Sequence, residues 1–157
     1  IVVPGHGFLL NNELTDFDPV PPHPNAPEAG KRPRSSMAPT IVLDDGEPVV
    51  ALGSPGGSTI ITTVLQILVN HLDFGMTLPE ASAAPRASQR NTTTTTAEAE
   101  FVADVGDDLA ARGHAFTTTG EIGAATGIAF HDDGTTTAAA EPVRRGDGAA
   151  AVVHPDD

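Results

Sequence analysis

Short apolar runs separated by turn residues predict several strands in the first third of the chain. Residues 1–3 have the pattern of the end of a strand, and residues 8–10 that of a short buried strand. Residues 40–43 and 48–52, which are mostly apolar, flank an Asp-Gly turn, as is typical of a β-hairpin. This part of the chain is therefore expected to contribute antiparallel strands.

Longer apolar patterns predict three helices. Residues 59–73 are apolar on more than one face, as in a helix buried between two layers, and Ser58 is a suitable N-cap. Residues 78–84 have a proline near their start, which favours the first turn of a helix. Residues 104–112 form the third predicted helix, and Gly113 is suited to end it.

The remaining pattern adds strands after the helices. A polar loop at 86–96 is expected to enter a strand near 97–101, and residues 114–116 predict another strand. A second hairpin is predicted from residues 126–131 and 135–140. Antiparallel strands combined with consecutive helices are typical of a layered α+β fold.

Two segments are expected to lack regular structure. Residues 18–34 contain six prolines and few apolar residues, which predicts a stiff surface loop of the kind that often serves as a lid or binding segment. The Gly- and Ala-rich tail at 144–157 is expected to be frayed. The 157 residues could form one domain, but 4% aromatic residues provide little material for a self-sufficient core. We therefore favour a part of a larger protein, particularly because the chain begins at Ile1 without Met.

Charge and composition exclude several classes of partner. The formal charge of −13 repels nucleic-acid phosphates and anionic membranes, so no nucleic-acid partner is expected. No apolar run approaches the roughly 20 residues of a membrane span, so we expect no membrane insertion by this chain. Cysteine is absent, which excludes disulfides and thiol chemistry. The basic pair at 144–145 has the pattern of a solvated surface or of local ion pairing.

No metal site or cofactor is predicted. The six histidines are scattered along the chain without the spacing of paired metal ligands. The Asp-Asp-Gly sequences at 44–46 and 132–134 do not continue into a calcium-binding loop, so both are interpreted as turns.

The Gly-rich turn at 53–58 is a candidate oxyanion site. Adjacent Gly56 and Gly57 connect a predicted strand to a predicted helix. Glycine lets backbone N–H groups approach a ligand closely, and a helix N-terminus favours negative charge. On its own, such a turn is more often structural than functional.

Two further pairs of residues suit an amino-acid ligand. Glu13 and Asp16, three positions apart, would present two carboxylates on one side of a turn, suitable for acid–base chemistry or for binding an ammonium group. Ser35 and Ser36 would offer hydroxyl and backbone donors to a carboxylate, although they could equally begin a strand or turn. No serine has the Gly-x-Ser-x-Gly context of a nucleophile elbow.

Taken together, these motifs resemble the small subunit of γ-glutamyltranspeptidase. The similarity is carried by Leu-Leu-Asn-Asn-Glu-Leu-Thr-Asp-Phe at 9–17, by the sequence at 30–42 containing both serines, and by Gly-Ser-Pro-Gly-Gly-Ser at 53–58 with the helix that follows. Asp-Phe-Gly-Met at 73–76 and Ala-Pro-Arg at 84–86 continue the match in order. It is close over residues 7–86 and extends over the rest only in outline.

The resemblance implies the C-terminal part of a small subunit, with an αββα sandwich of the N-terminal nucleophile hydrolase type present only in part. In that family a precursor cleaves itself, and the new N-terminal Thr attacks a γ-glutamyl amide such as that of glutathione. The acyl group then passes to water or to an acceptor amine. The family also implies a heterodimer with the large subunit from the same precursor, and a periplasmic or secreted location.

The same resemblance implies a role for each candidate residue. Glu13 and Asp16 would bind the substrate α-ammonium group. Ser35 and Ser36 would bind its α-carboxylate, and the N–H groups of the two glycines at 56–57 would form the oxyanion hole.

Some features depart from the family pattern and leave alternatives open. Only six residues precede Gly7, so the nucleophilic Thr is absent and the isolated chain is expected to be inactive. Thr59 stands where an Arg is frequent, and residues 87–89 replace a more aromatic segment, so acceptor preference is open. The alternatives are a non-catalytic member or inactive fragment that retains a glutamate pocket, and an acylase acting on a non-glutamyl amide.

Overall fold

The computed structural model describes residues 2–144 and 148–151, and it divides into two compact units, Ile1–Ser36 and Met37–Asp157. The sequence did not indicate this division, since the whole chain was expected to form one layered unit. Each unit has its own local order.

The first unit contains little regular structure. Its only described helix is a 3₁₀ turn at Glu13–Asp16, and an isolated β-bridge pairs Val2 with Leu9. The prediction of a buried strand at 8–10 is wrong, because the three side chains there are 54%, 72% and 54% exposed. A segment of this size has too little apolar surface to cover them. Residues 18–34 contain no helix or strand, in agreement with the predicted loop.

Among its described residues, the second unit contains seven strands and three α-helices. In chain order the strands β1 to β7 are Thr40–Asp44, Glu47–Gly53, Ala87–Ser88, Thr95–Glu98, Phe116–Thr119, Thr126–Phe130 and Thr136–Ala140. The helices α1, α2 and α3 are Ile60–Leu72, Leu78–Ala83 and Ala99–Ala110. The α+β class predicted from the sequence is confirmed.

The strands form two sheets. Four of them make an antiparallel sheet in the order β1-β2-β6-β7, which includes both predicted hairpins. The turn between β1 and β2 has positive φ at Asp45 and Gly46, as a tight Asp-Gly hairpin requires. The smaller sheet has the order β3-β4-β5, with β3 antiparallel and β5 parallel to β4.

Boundaries around the smaller sheet differ from the prediction. The strand expected near 97–101 is β4, which ends at Glu98, and α3 begins at Ala99 rather than at Asp104. Alternating Ala and Glu at 97–100 have a strand-like period, but both residues are good helix formers. The loop expected at 86–96 contains the short strand β3, and the strand expected at 114–116 begins only at Phe116.

The hydrophobic core of the second unit lies between the larger sheet and helices α1 and α2. It contains nine buried apolar residues: Val50, Leu52, Val64, Ile67, Leu78, Ala81, Ala125, Ala129 and Ala139. On α1 only Thr63, Val64 and Ile67 are buried, while Ile61 and Leu65 are more than half exposed. The prediction that this helix is buried on more than one face is therefore wrong for the described residues.

The opposite face of the larger sheet is also apolar but open. Ile41, Ala51, Ile128 and Ala138 form one row across the four strands, and Ile41 and Ile128 are 67% and 41% exposed. Among the described residues, no helix has both the length and the hydrophobicity needed to cross a membrane.

The predicted frayed tail is only partly described. Residues 148–151 contain no helix or strand, whereas 145–147 and 152–157 lie outside the described residues. Arg144, at the start of the predicted tail, is buried with 3% exposure, so its assignment to a frayed segment or a solvated surface is wrong.

Candidate active site

The Gly56-Gly57 turn joins β2 to α1 through a 3₁₀ turn at Gly57–Thr59. The φ angles of Gly56 and Gly57 are +148° and +56°, a region that side-chain-bearing residues rarely adopt. A Cβ on Gly56 would lie 2.8 Å from Thr59 Oγ1 and 3.4 Å from Gly123 Cα. Position 56 therefore requires glycine, both because of its φ angle and because a side chain would have no space.

Hydrogen bonds to the Gly56 carbonyl shape the same turn. Thr59 donates to it from both its backbone N–H, at 3.2 Å, and its Oγ1, at 3.0 Å. Ser58 lies inside the 3₁₀ turn, and Thr59 precedes α1, so the prediction of Ser58 as the N-cap is wrong. The turn ends at the N-terminus of a 13-residue helix, where the helix dipole favours negative charge.

Glu13 and Asp16 begin and end the 3₁₀ turn of the first unit. With three residues per turn, positions i and i+3 lie on the same side, so the structure places both side chains on one face. Glu13 is exposed and Asp16 is half-buried. The N–H of Glu13 donates to Asn11 Oδ1 at 3.1 Å, which fixes the start of the turn.

Asn25, which was not among the predicted site residues, connects this turn to the proline-rich loop. Its Nδ2 donates to the carbonyl of Asp16 at 2.7 Å and to Asp18 Oδ2 at 3.2 Å. Its Oδ1 accepts from the N–H of Arg34 at 2.9 Å, and Arg34 also forms an ion pair of 3.3 Å with Asp18. A single asparagine in a Pro-rich segment is a recognisable turn signal, but it does not reveal these partners.

Ser35 and Ser36 follow directly after Arg34 at the end of the first unit. Ser35 is exposed and Ser36 is half-buried. The carboxylates, Asn25 and the two serines thus belong to the first unit, whereas the two glycines belong to the second.

A buried cluster of two arginines and two glutamates, which no local sequence pattern indicates, lies in the second unit. Arg144 binds Glu98 through Nε and Nη2, both at 2.5 Å, and contacts Glu141 at 3.1 Å. Arg86 binds Glu141 at 2.8 Å. All four side chains are at least nine-tenths buried. Local ion pairing, one of the two interpretations of residues 144–145, agrees with the contact to Glu141. It did not predict the pairing with Glu98, which lies 46 positions away.

Burial and pairing have opposite effects on the cluster's pKa values. Burial lowers the pKa of Arg86, and the hydrogen bond to Glu141 only partly offsets this. Burial would lower the pKa of Arg144 too, but its pairing with Glu98 outweighs that effect and raises it. For Glu98, burial acts to raise the pKa, but hydrogen bonds from Arg144 and from two backbone N–H groups hold it below its usual value. The cluster thus places two guanidinium groups against two carboxylate side chains in the interior.

Within residues 2–144 and 148–151, no group of three or more His, Asp or Glu side chains is arranged to hold a metal ion.

Comparisons with known proteins agree with the resemblance found in the sequence. Residues 1–152 match the family model described as gamma-glutamyltranspeptidase. Over 148 residues the chain is 42% identical to the glutathione hydrolase proenzyme of Bacillus subtilis (strain 168). The aligned region covers 93% of this chain and 25% of that protein. It is also 39% identical over 143 residues to the acylase ACY 1 proenzyme of Pseudomonas sp. (strain SE83), covering 89% of this chain and 25% of that protein.

The fold matches solved structures over nearly its whole length. A mutant γ-glutamyltranspeptidase of Pseudomonas nitroreducens aligns with a TM-score of 0.81 and 36% identity, over 99% of this chain and 86% of that one. The fold is therefore the αββα sandwich of the N-terminal nucleophile hydrolase type, present here in part. The chain spans about a quarter of the length of the curated relatives it matches. With the family model matching nearly every residue, the chain belongs to the γ-glutamyltranspeptidase family.

Proposed function

We propose that the complete protein containing this chain cleaves γ-glutamyl amides such as glutathione and passes the glutamyl group to water or to an amine. The observation that carries this proposal is the Gly56-Gly57 turn before α1, where both φ angles are positive and where close packing leaves no room for a side chain on Gly56. Backbone donors at such a turn suit the negative oxygen that develops when an amide carbonyl is attacked.

In the proposed reaction, the hydroxyl of a Thr at the small-subunit N-terminus attacks the γ-carbonyl carbon. Its proton passes through the Thr α-amino group to the leaving amine, and an ester of the glutamyl group remains. The N–H groups of Gly56 and Gly57 bind the tetrahedral oxyanion, and each well-placed donor lowers the barrier by roughly 3 kcal/mol. Water or an acceptor amine then attacks the ester and restores the Thr. This nucleophile, like the large-subunit partner of the cleaved precursor, is supplied by the complete protein.

The two residue pairs of the first unit are proposed to recognise the glutamyl group. Glu13 and Asp16 lie on one face of a 3₁₀ turn, a geometry that lets two carboxylates share one ammonium group. The hydrogen bonds of Asn25 tie that turn to the residue preceding Ser35, so the ammonium and carboxylate sites are held in one short framework. Ser35 and Ser36 would donate to the α-carboxylate.

A matched pair of substrates tests the proposal and separates it from an acylase function. The complete protein should release the amine from a γ-glutamyl anilide, and should be at least about a hundred-fold less efficient with the glutaryl anilide, which lacks only the α-ammonium group.

A second candidate, acylase activity on non-glutamyl amides, is favoured by the similarity to the acylase ACY 1 proenzyme. Equal or better turnover of the glutaryl substrate would support it. Binding of glutamate without turnover of either substrate would identify a non-catalytic member.

The oxyanion assignment has its own matched variants. Gly56→Ala adds a Cβ 2.8 Å from Thr59 Oγ1, whereas Gly134→Ala adds one in open space, also at a positive φ, +82°. We expect Gly56→Ala to lower kcat about a hundred-fold and Gly134→Ala to leave it within twofold. Equal effects of the two substitutions would refute the assignment.

A further inference from the structure

The backbone segment Ile122 to Ala124 packs directly behind the Gly56-Gly57 turn. Gly123 Cα lies 3.4 Å from the position that a Cβ on Gly56 would occupy. Ile122 and Gly123 are buried, and the segment leads into strand β6. The turn therefore rests on a second layer of backbone rather than on solvent.

Ser54 joins this segment to the turn. Its Oγ accepts a hydrogen bond from the N–H of Ala124 at 3.1 Å and donates one to the carbonyl of Pro55 at 2.7 Å. Pro55 immediately precedes Gly56 in the chain. One hydroxyl thus connects the residue before the turn to a segment 70 positions away.

Gly123 permits the close approach because it has no side chain. Its φ is +71°, and a Cβ there would lie 2.8 Å from Thr63 Oγ1 and 2.9 Å from Ser54 Oγ. Both atoms belong to segments that flank the turn, because Ser54 directly follows β2 and Thr63 lies on α1. Any side chain at position 123 would push against both.

The far end of the segment is held by the buried ion pairs. The N–H of Ile122 donates to Glu98 Oε1 at 2.9 Å, and its carbonyl accepts from Arg86 Nη1 at 2.7 Å. Both backbone groups of one residue are thus bound by charged side chains, which form stronger hydrogen bonds than neutral ones. Because those side chains are also paired within the cluster, Ile122 has little freedom to move.

From these contacts we propose that Ser54 and Gly123 are positioning residues for the oxyanion hole, and that Arg86 and Glu98 anchor the segment through which they act. The inference rests on the proposed function, since it assumes that the turn binds an oxyanion. It adds that the backbone N–H donors of the turn are held in place by the segment Ile122 to Ala124 behind them. No atom of that segment contacts the substrate. Displacement of a catalytic group by about 1 Å can lower the rate a hundred-fold, so this support should be visible in kinetics.

Steady-state kinetics of the complete, cleaved protein with a γ-glutamyl anilide tests the inference. Ser54→Ala and Gly123→Ala should each lower kcat about ten-fold or more while KM changes less than about twofold, because an oxyanion forms only after substrate binding. Gly120→Ala is the matched control, since it adds a methyl group in open space in the same connection and at a φ that is not positive. It should leave both constants unchanged.

Thermal unfolding and the folded fraction are measured for each variant, and kcat is expressed per folded, cleaved molecule. If Gly123→Ala does not fold, Ser54→Ala decides the outcome, because it removes one oxygen atom and adds no bulk. A normalised kcat within twofold of the parent protein for Ser54→Ala, with Gly56→Ala strongly impaired, would overturn the inference and leave the proposed function intact. Absence of γ-glutamyl turnover in the parent protein would instead refute the proposed function, and the inference with it.

Discussion

Arg144 and Glu98 form a bidentate ion pair in which Nε and Nη2 each donate to a different carboxylate oxygen at 2.5 Å. The same guanidinium donates to the carbonyls of Ser82 and Ala84, at the end of helix α2. Arg144 therefore connects the last described strand, the start of α3 and the end of α2 through one side chain. Such planar, multiple donation is available to arginine and not to lysine.

Loss of the Arg144 guanidinium should be costly because it leaves buried carboxylates without their partner. We expect Arg144→Met to lower the free energy of unfolding of the complete protein by about 3–5 kcal/mol. Arg112→Met, at an exposed position after α3, should change it by less than about 0.5 kcal/mol. Denaturant unfolding of the two variants measures the difference, and equal stabilities would show that the pair is not a structural anchor.

Glu98 should make stability depend on pH in the acidic range. Hydrogen bonding in the folded state holds its pKa below the ordinary value of 4.5, so the folded protein binds fewer protons at this site than the unfolded chain. The stabilisation is fully present above pH 4.5 and is lost as pH falls through the lower, folded pKa. Glu98→Gln should be less stable at neutral pH and should show a shallower decline on acidification. Parallel stability curves for the parent and the variant would contradict this assignment.

Asp16 should affect substrate binding through its charge. If it shares the substrate ammonium group with Glu13, Asp16→Asn should lower kcat/KM for a γ-glutamyl anilide about a hundred-fold, as expected for loss of a charge-assisted hydrogen bond. The effect on the glutaryl anilide should be small, because that substrate has no ammonium group. Asp104→Asn, on the exposed surface of α3, is the control and should be neutral with both. A similar loss with both substrates would assign Asp16 a structural role instead.

Helix α2 should depend on its capping box. Thr77 Oγ1 accepts from the N–H of Glu80 at 3.4 Å, and Glu80 Oε2 accepts from the N–H of Thr77 at 2.9 Å. Hydrogen bonds from Thr77 also hold the pKa of the Glu80 carboxyl below its ordinary value. Thr77→Ala should lower the free energy of unfolding by about 1 kcal/mol, whereas Thr77→Ser should retain most of it. Thermal unfolding of both variants would show whether the hydroxyl group at position 77 is responsible for the stabilisation.

Elements set by local chemistry were predictable from the sequence. The Asp45-Gly46 hairpin, the proline-started helix α2 and the glycine turn all depend on residues adjacent in the chain, and their bounds agree within a few residues. The ordered motifs around these elements also identified the family. The predictable elements are thus those whose conformation is determined by neighbouring residues in the chain.

Features set by distant contacts were not predictable. Pairing of Arg144 with Glu98 and of Arg86 with Glu141 joins residues 46 and 55 positions apart, and nothing local distinguishes them from surface charges. Likewise, the alternating Ala-Glu sequence at 97–100 has the period of a strand, yet β4 ends at Glu98, whose carboxylate is paired with the distant Arg144, and α3 begins at Ala99. The role of Asn25 was likewise not predictable, since it depends on one partner in the 3₁₀ turn and two in the proline-rich loop.

The position of Arg144 near the end of the described chain has a consequence for synthesis. Glu98 precedes it by 46 positions, so when Glu98 leaves the ribosome its arginine partner has not yet emerged, and the Glu98 carboxylate must stay hydrated. Helices α1 and α2 and the larger sheet can associate earlier, but the interior around Arg86 cannot close without its full set of charges. We therefore expect the second unit to complete its fold only after Arg144 has been translated and released from the exit tunnel.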